Sequence, residues 1–249
     1  MFHSFKETGR RCKKALVSFY TSLLSEEQPT YHKLCFSQEG EDMVLRRIFN
    51  DKKNGFYVDI GAFHPQYLSN TYLFYQSGWR GINIDAMPGS MEFFNKIRPN
   101  DINLEIAISN KKEELTYYTF NTPNLNGFSQ ELSLERDGWK VGDWEAKLLE
   151  KMQIKTYTLA EILDKYLPSN QTIDFLNVDV EGLDYQVLIS NNWCKYRPNI
   201  VLVEDLELSS INTSNDSKIY NFMCNQGYEL YSKTVNTLIF KLKEFHVET

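Results

Sequence analysis

The sequence predicts an α/β domain that is built on a doubly wound, mostly parallel β-sheet. Short runs of β-branched and other apolar residues, which are typical of buried parallel strands, alternate with helical patterns along the chain. Two further runs near the carboxyl end are too close together for a crossover helix, and they predict an antiparallel hairpin. The predicted parallel strands are residues 56–60, 82–85, 104–108, 173–179 and 200–204, and the hairpin comprises residues 228–231 and 237–240.

Helical patterns precede or separate these strands. Residues 37–49 come before the first strand, and residues 69–76 end close to Gly78, a residue that favours the left-handed conformation of a helix C-cap. A capping-box motif at residues 158–161 opens an amphipathic helix that is predicted to run to Leu167. The order of strands and helices is that of a doubly wound sheet.

Residues 121–155 interrupt this alternation. Asn, Gly, Trp and charged residues of both signs dominate the segment, and it has no buried-strand pattern. Long insertions in compact domains commonly cover binding sites, whereas an insertion without a function is a surface loop. Phe128, Trp139 and Trp144 offer aromatic contacts that favour the first interpretation. We therefore predict a lid-like insertion within a domain that extends over residues 36–249.

Residues 1–35 are predicted to form a basic, helical amino-terminal extension. Residues 1–24 carry five Lys or Arg residues and one Glu. Such a helix packs on the domain or on a second subunit, or it lies at a membrane surface with its cations against anionic lipid. A signal peptide fits less well, because Ser and Thr interrupt the apolar run and Glu26 and Glu27 follow it.

Composition limits the classes of partner. The chain has 249 residues, of which 42% are hydrophobic, as is typical of a globular protein. The formal net charge of −6 argues against nucleic acid as a partner, because that binding depends on many cations. No apolar run is long enough to predict a membrane span. The four separated cysteines form no CxxC motif, and the cytoplasm is the expected location.

The residues that follow the first two predicted strands indicate the ligand, because doubly wound sheets bind ligands at the carboxyl ends of their strands. Gly61 allows a close approach to the backbone, but the three-glycine turn of a dinucleotide site is missing and Pro65 lacks an amide for an anion. Asp59, just before this glycine, suits a cationic ligand, and Asp85 suits the hydroxyls of a ribose. These features favour S-adenosylmethionine over NAD or a nucleotide held by a P-loop.

Five motifs follow one another along the chain: FSQEGED at residues 36–42, YVDIGA at 57–62, SNT at 69–71, GWRGINID at 78–85 and FLNVDVEG at 175–182. In this order and spacing they resemble the FkbM-type S-adenosylmethionine-dependent methyltransferases, which have the class I, Rossmann-like fold. The resemblance extends from about Phe36 to Leu242. It implies a seven-stranded sheet that ends in the antiparallel hairpin, and O-methylation of sugars or related hydroxylated metabolites.

The resemblance also implies a set of cofactor-binding residues. Asp85 would hold the ribose, Ala107 and Ile108 would flank the adenine, and Gln38 would reach the methionine moiety from the preceding helix. Roles as turn or helix caps are the alternative for several of the polar residues. The complete set is Gln38, Asp59, Gly61, Ala62, Phe63, Asn70, Thr71, Asp85, Ala86, Ala107, Ile108 and Asp179.

Acidic residues at the ends of the fourth and fifth predicted strands are candidates for the chemistry. Asp179 and Glu181 lie in one group, Glu204 and Asp205 in the other, and adjacent parallel strands would bring the groups together. Converging carboxylates repel one another unless a proton or a cation intervenes. The arrangement resembles catechol and macrolide-sugar O-methyltransferases, and by that resemblance Asp179, Glu204 and Asp205 would hold Mg²⁺ or Mn²⁺.

A metal-free alternative uses some of the same residues. In it, Asp179 or Glu204 acts as the general base, together with His64, whose ordinary pKa suits proton transfer at neutral pH. His64 could instead be a structural residue of a turn, and Glu181 could merely begin a helix, where an acid favours the dipole. The catalytic candidates are therefore Asp179, Glu181, Glu204 and His64.

Together, the residues and the resemblance predict an O-methyltransferase for a sugar hydroxyl. The sugar would be nucleotide-linked or part of a glycan, for a bacterial surface polysaccharide, and this last expectation rests on resemblance alone. Two alternatives stay open: a non-catalytic module that binds a partner through its amino-terminal residues, and a methyltransferase of a protein or a small aromatic acceptor. The crowded carboxylates favour an enzyme, because a scaffold has no need of them.

Overall fold

A computed structural model describes residues 33–50, 52–206, 208, 210–211 and 216–247. A compact unit begins at Cys35. The predicted amino-terminal extension, residues 1–35, lies almost entirely outside the described residues. None of the helices in the described part is both long enough and apolar enough to cross a membrane.

Strands and helices alternate through most of the chain. The strands are β1 (Phe56–Ile60), β2 (Arg80–Asp85), β3 (Ile102–Glu105), β4 (Ala107–Ile108), β5 (Glu114–Phe120), β6 (Lys140–Val141), β7 (Trp144–Glu145), β8 (Leu148–Tyr157), β9 (Phe175–Val178), β10 (Ile200–Glu204), β11 (Tyr228–Lys233) and β12 (Thr237–Leu242). The helices are α1 (Glu41–Ile48), α2 (Tyr72–Gln76), α3 (Ser90–Ile97), α4 (Gln130–Arg136), α5 (Leu159–Tyr166), α6 (Asp184–Ile189) and α7 (Lys218–Asn225), and a 3-10 turn spans Pro123–Leu125.

The main sheet has seven strands in the order β11-β12-β10-β9-β1-β2-β3. Strands β10, β9, β1, β2 and β3 are parallel, whereas β12 is antiparallel to β10 and to β11. This is the doubly wound sheet with a carboxyl-terminal antiparallel hairpin that the sequence predicts, so the predicted class I methyltransferase fold is confirmed. Strand order reverses at β1, and the crevice beyond the carboxyl ends of β1 and β9 is therefore the expected ligand site.

Side chains alternate between the two faces along each strand, and both faces of the sheet are covered by apolar clusters. On one face, Val58 of β1 belongs to an apolar cluster that includes Leu163 of α5. On the other face, Tyr57 belongs to a second cluster that includes Leu45 of α1 and Trp79. The near-continuous apolar runs that predicted these strands reflect this burial on two sides.

Two helices begin later than the sequence predicts. Helix α1 begins at Glu41, because the Asp42 carboxylate accepts hydrogen bonds from the Phe36 backbone N–H (2.7 Å) and the Ser37 hydroxyl (2.9 Å) and holds the preceding residues as a loop. Gln38 therefore lies in a loop and not on a helix. Helix α2 likewise begins at Tyr72.

The predicted strand 104–108 is divided in two. Strand β3 ends at Glu105 on the edge of the main sheet, whereas β4 (Ala107–Ile108) pairs in parallel with β8 in a smaller sheet. The change occurs at Ile106, whose N–H still donates to the carbonyl of Asp85 (2.9 Å). A continuous apolar run predicts extended backbone here, but it cannot show which partner strand each half takes.

The predicted insertion has more regular structure than its sequence suggests. Residues 148–157 form β8, which pairs antiparallel with β5. Most β8 side chains are at least partly exposed, so backbone pairing and not burial maintains this strand, and the apolar pattern that marks buried strands is missing. The remainder of the insertion contains α4 and the short β6–β7 hairpin.

Candidate active site

A cavity of about 970 Å³ lies at the carboxyl ends of β1, β2, β9 and β10. Gly61 lines it after β1, Asp85 at the end of β2, Asp179 after β9 and Glu204 at the end of β10. Its size is at the upper end of small-molecule sites and leaves room for two reactants. The insertion contributes another part of the wall, from Pro123 to Trp139.

The loop after β1 depends on a glycine. Gly61 has a φ of +83°, and a Cβ atom at this position would lie 1.6 Å from the carbonyl oxygen of Asp179. No side chain fits there, so Gly61 allows the backbones after β1 and β9 to come together at the floor of the cavity. Phe63, two residues later, also has a positive φ, and its side chain lies in the wall.

Asp85 is held in a fixed orientation at the end of β2. Its two carboxylate oxygens accept backbone N–H groups from Met87 (2.8 Å) and Phe63 (3.0 Å). Burial raises the pKa of Asp85, and the hydrogen bonds from these two amides oppose that shift. Each carboxylate oxygen can accept a second hydrogen bond, so the side chain keeps capacity for ligand hydroxyls.

A buried polar network lies beneath the cavity. The Asp59 carboxylate accepts the Thr71 hydroxyl (2.7 Å) and the Asn177 side-chain amide (2.9 Å). Asn177 in turn accepts a hydrogen bond from Asn70 (2.9 Å), and Arg98 donates to Thr71 (2.8 Å). Of these residues, Asn70 lines the cavity. The network thus holds the side chain of Asn70 in position in the cavity wall through its hydrogen bond to Asn177.

The predicted cofactor-binding residues separate into two groups. Asp59, Thr71 and Ala62 lie behind the wall, because the first two hydrogen-bond each other and Ala62 packs against Met91 and Phe94. The residues that line the cavity are Gln38, Gly61, Phe63, Asn70, Asp85, Ala86, Ala107, Ile108 and Asp179.

Three carboxylates meet in the cavity where β9 and β10 end. Asp179, Glu181 and Glu204 each offer an oxygen, and these oxygens all lie within 4.8 Å of one another. The predicted metal ligand Asp205 is not among them. Its carboxylate accepts the Leu208 N–H (3.2 Å) and the Ser217 hydroxyl (2.5 Å), because successive side chains at a strand end point to opposite sides of the sheet. Glu181, and not the predicted Asp205, completes the cluster with Asp179 and Glu204.

Burial and repulsion by neighbouring acids raise the pKa values of Asp179 and Glu204. The pKa of Glu204 is raised to about 11, first by burial and then by Asp179. Burial likewise raises the pKa of Asp179 well above its ordinary value, with further contributions from Glu181 and Asp184. The Glu204 Oε2 atom is buried and has no hydrogen-bond partner among the described residues. A bound proton, a hydroxyl donor or a cation would therefore stabilise these carboxylates.

The insertion packs directly on the segment that carries Glu181. Arg136 of α4 pairs with Glu181 (2.5 Å). A Cβ atom on Gly127 would lie 2.9 Å from the carbonyl oxygen of Glu181, and one on Gly182 would lie 2.8 Å from Ser129. The insertion thus forms part of the carboxylate site and is not a separate surface loop.

His64 lines the cavity, but its hydrogen bonds are those of a turn residue. Its Nδ1 atom accepts the backbone N–H groups of Gln66 (3.1 Å) and Tyr67 (3.0 Å). Burial, with a smaller contribution from Arg98, lowers the pKa of His64. In a neutral ring whose Nδ1 accepts, Nε2 carries the hydrogen, so it can donate to a ligand but cannot take its proton. The geometry does not suit the predicted role as a base.

Three further residues belong to the site and were not singled out from the sequence. Glu41, at the first position of α1, is buried in the wall and accepts hydrogen bonds from Thr234 (2.9 Å) and from the Glu39 N–H (2.9 Å). Tyr117 and Arg136 reach the cavity from β5 and α4. Glu41 lies within the FSQEGED motif, but nothing in the local sequence marks the other two.

Comparison with protein-family models gives a match over most of the domain. A family model described as the methyltransferase FkbM domain matches residues 59–230, which is more than half of the chain. This span includes Asp85, the three clustered carboxylates and Arg136. No curated protein and no solved structure matches the chain significantly.

Proposed function

The chain belongs to the FkbM methyltransferase family, and we propose that it transfers a methyl group from S-adenosylmethionine to a sugar hydroxyl. The observation that carries the proposal is one cavity with two unlike ends. Asp85 stands at one end, oriented by two backbone amides, and the cluster of Asp179, Glu181 and Glu204 stands at the other. The first end suits a ribose, and the second suits a hydroxyl that must lose its proton.

The residues present fit the methyl donor. Asp85 has acceptor capacity for the ribose hydroxyls, and the small or apolar side chains of Ala107 and Ile108 suit the faces of an adenine. Gln38 and Asn70 offer side-chain amides for the methionine moiety. In this assignment Asp59 and Thr71 act through Asn177 and Asn70, as positioning residues beneath the site.

We expect Asp85→Ala to weaken S-adenosylmethionine binding by about 1.5–3 kcal/mol, or roughly tenfold to 150-fold in Kd, through the loss of hydrogen bonds to a charged acceptor. Isothermal titration calorimetry measures this directly. Asp164→Ala is the control, because Asp164 is an exposed acid of α5 that pairs with Lys195 outside the cavity. Unchanged affinity in Asp85→Ala, or saturable binding of NAD in place of S-adenosylmethionine, would contradict the cofactor assignment.

Asp179 is the general base in this proposal. When bound, S-adenosylmethionine supplies a methyl group on a positively charged sulfur. Asp179 accepts the proton of the acceptor hydroxyl, and its raised pKa makes it a stronger base than an ordinary carboxylate. Next to the positive charge of the sulfonium, Asp179 ionises more readily. Glu204 provides a second acceptor for the hydroxyls, and Arg136 orients Glu181.

The carboxylate cluster also fits a hard divalent cation. Its ligands are all oxygens, as Mg²⁺ and Mn²⁺ prefer, and the buried Glu204 Oε2 atom has no hydrogen-bond partner among the described residues. The proposal therefore includes Mg²⁺ or Mn²⁺ as a second, testable component of the site, which Asp179, Glu181 and Glu204 would hold. Such an ion would lower the pKa of a bound hydroxyl. Activity measured in a chelator distinguishes the metal-free site, in which Asp179 is the base, from a site that holds a divalent cation.

A hydroxyl-rich acceptor is favoured over a protein or a small aromatic one. The clustered carboxylates offer several acceptor oxygens close together, which matches the neighbouring hydroxyls of a sugar. The same crowding argues against a non-catalytic module, because buried carboxylates without partners are costly for a scaffold. Methyl transfer to a panel of sugars and glycans, detected by mass as one added methyl group, tests the proposal. Transfer only to protein or phenolic acceptors would contradict it.

A further inference from the structure

The charged side chains of the cavity wall indicate what charge the acceptor carries, which the proposed function leaves open. Arg136 is the one Lys or Arg among the described residues that line it, and it is already paired with Glu181. Burial lowers the pKa of His64, and its Nδ1 atom accepts two backbone N–H groups. The acidic side chains in the wall are Glu39, Glu41, Asp85, Glu135, Asp179, Glu181 and Glu204. In the metal-free form of the site, a diphosphate in this cavity would meet acidic side chains and no unpaired Lys or Arg among the described residues.

Several backbone amides at the strand ends are also occupied by carboxylates of the protein. The N–H groups of Val180 and Gly182, at the turn before α6, donate to the Asp184 carboxylate at 3.0 and 3.1 Å. The Gly89 N–H donates to Glu105 (2.8 Å). The loop amides of Phe63 and Met87 donate to Asp85, as described above. These five amides are thus already satisfied by the protein's own carboxylates.

The insertion offers a different kind of surface at the same cavity. Trp139 lines the cavity and is 53% exposed, and its ring forms an edge-to-face pair with Trp144 at a centroid distance of 6.0 Å. Hydrogen bonds from Ala146 N–H to Trp139 O (2.8 Å) and from Trp139 N–H to Arg136 O (3.0 Å) anchor the segment. The indole is exposed in the wall of the cavity that holds the carboxylate cluster, on a segment that is hydrogen-bonded to Arg136, the partner of Glu181. Such a surface is suited to the apolar C–H face of a sugar ring.

We propose that the acceptor is an uncharged saccharide of at least two residues, in which the ring next to the methylated one stacks on Trp139. This inference rests on the proposed function and narrows it, because it excludes nucleotide sugars as the preferred substrate. In the metal-free form of the site, the lack of an unpaired Lys or Arg in the described wall argues for an uncharged acceptor. The position of Trp139 argues for the second ring. A membrane surface is the competing occupant of the exposed indole.

The first experiment compares acceptors. Neutral glycans of one to six residues and UDP-, GDP- and dTDP-sugars are incubated with the protein and methyl-tritiated S-adenosylmethionine. We expect kcat/KM for neutral glycans of two or more residues to exceed that for the nucleotide sugars by at least tenfold. Nucleotide sugars as the better substrates would overturn this inference and leave the sugar methyltransferase function intact. No transfer to any saccharide, with S-adenosylmethionine still bound, would overturn both.

The second experiment tests Trp139 on the best neutral glycan. We expect Trp139→Ala to raise KM roughly tenfold, with kcat and the Kd of S-adenosylmethionine unchanged, and Trp139→Phe to restore most of the affinity. Tyr231→Ala, which removes an exposed aromatic ring outside the cavity, is the control. An unchanged KM in Trp139→Ala would overturn the stacking. The same result with loss of binding to phosphatidylcholine vesicles would assign the indole to a membrane surface.

Discussion

Asp179→Asn is expected to lower kcat by about 10²–10⁴-fold, the usual contribution of a general base, while S-adenosylmethionine still binds. The substitution keeps the shape of the side chain, and the Asp179 carbonyl that contacts Gly61 is unaffected. What is lost is a carboxylate with a raised pKa among two other acids. Single-turnover methyl transfer, combined with calorimetric titration of the cofactor, separates the loss of chemistry from a loss of binding.

Asp164→Asn is a matched control for this variant, because Asp164 is an exposed acid of α5 that pairs with Lys195 outside the cavity. Assays in a chelator then examine the metal. Activity that falls in chelator and returns with Mg²⁺ or Mn²⁺ would support the cation, whereas full activity in chelator would eliminate it and retain the base. An Asp179→Asn protein with full activity would remove Asp179 from the mechanism altogether.

Glu204→Gln is expected to stabilise the protein at pH 8 while it impairs catalysis. The pKa of Glu204 is raised from its ordinary value of 4.5 to about 11 in the folded state. Its contribution to stability is therefore complete below pH 4.5 and is lost progressively as the pH rises toward 11. At pH 8 in chelator, a neutral amide should raise the free energy of unfolding on the order of 2 kcal/mol, or roughly 5 °C in Tm.

Thermal unfolding of both proteins from pH 5 to pH 8 measures this difference. The stability of the unsubstituted protein should fall with rising pH, and that of Glu204→Gln should fall less, so that the two converge toward pH 5. Glu229→Gln is the control, because Glu229 is an exposed acid of β11 that pairs with Lys241. Parallel curves for the protein and its Glu204→Gln variant would show that Glu204 is not a destabilised buried carboxyl.

The sequence alone was enough to predict the main sheet and three of the acidic residues that line the cavity. Strands β1, β2, β9 and β10 are buried on both faces, so their apolar runs are visible without knowledge of their neighbours. Because parallel strands end at the same edge, Asp85, Asp179 and Glu204 could be expected at one crevice. The matching family model agrees with the motifs that first suggested this fold.

Other features depend on which segments meet in space, and the tertiary structure alone decided them. Arg136 reaches Glu181 across 45 positions of sequence, and β8 is a strand because β5 pairs with it, although most of its side chains are at least partly exposed. Asp205 and His64 have the residue types for catalysis, but local hydrogen bonds occupy the Asp205 carboxylate and the His64 Nδ1 atom. Residue type and strand position determine which groups arrive at the crevice. The hydrogen-bond partners, which depend on side-chain direction and on long-range packing, determine which of them remain available for chemistry.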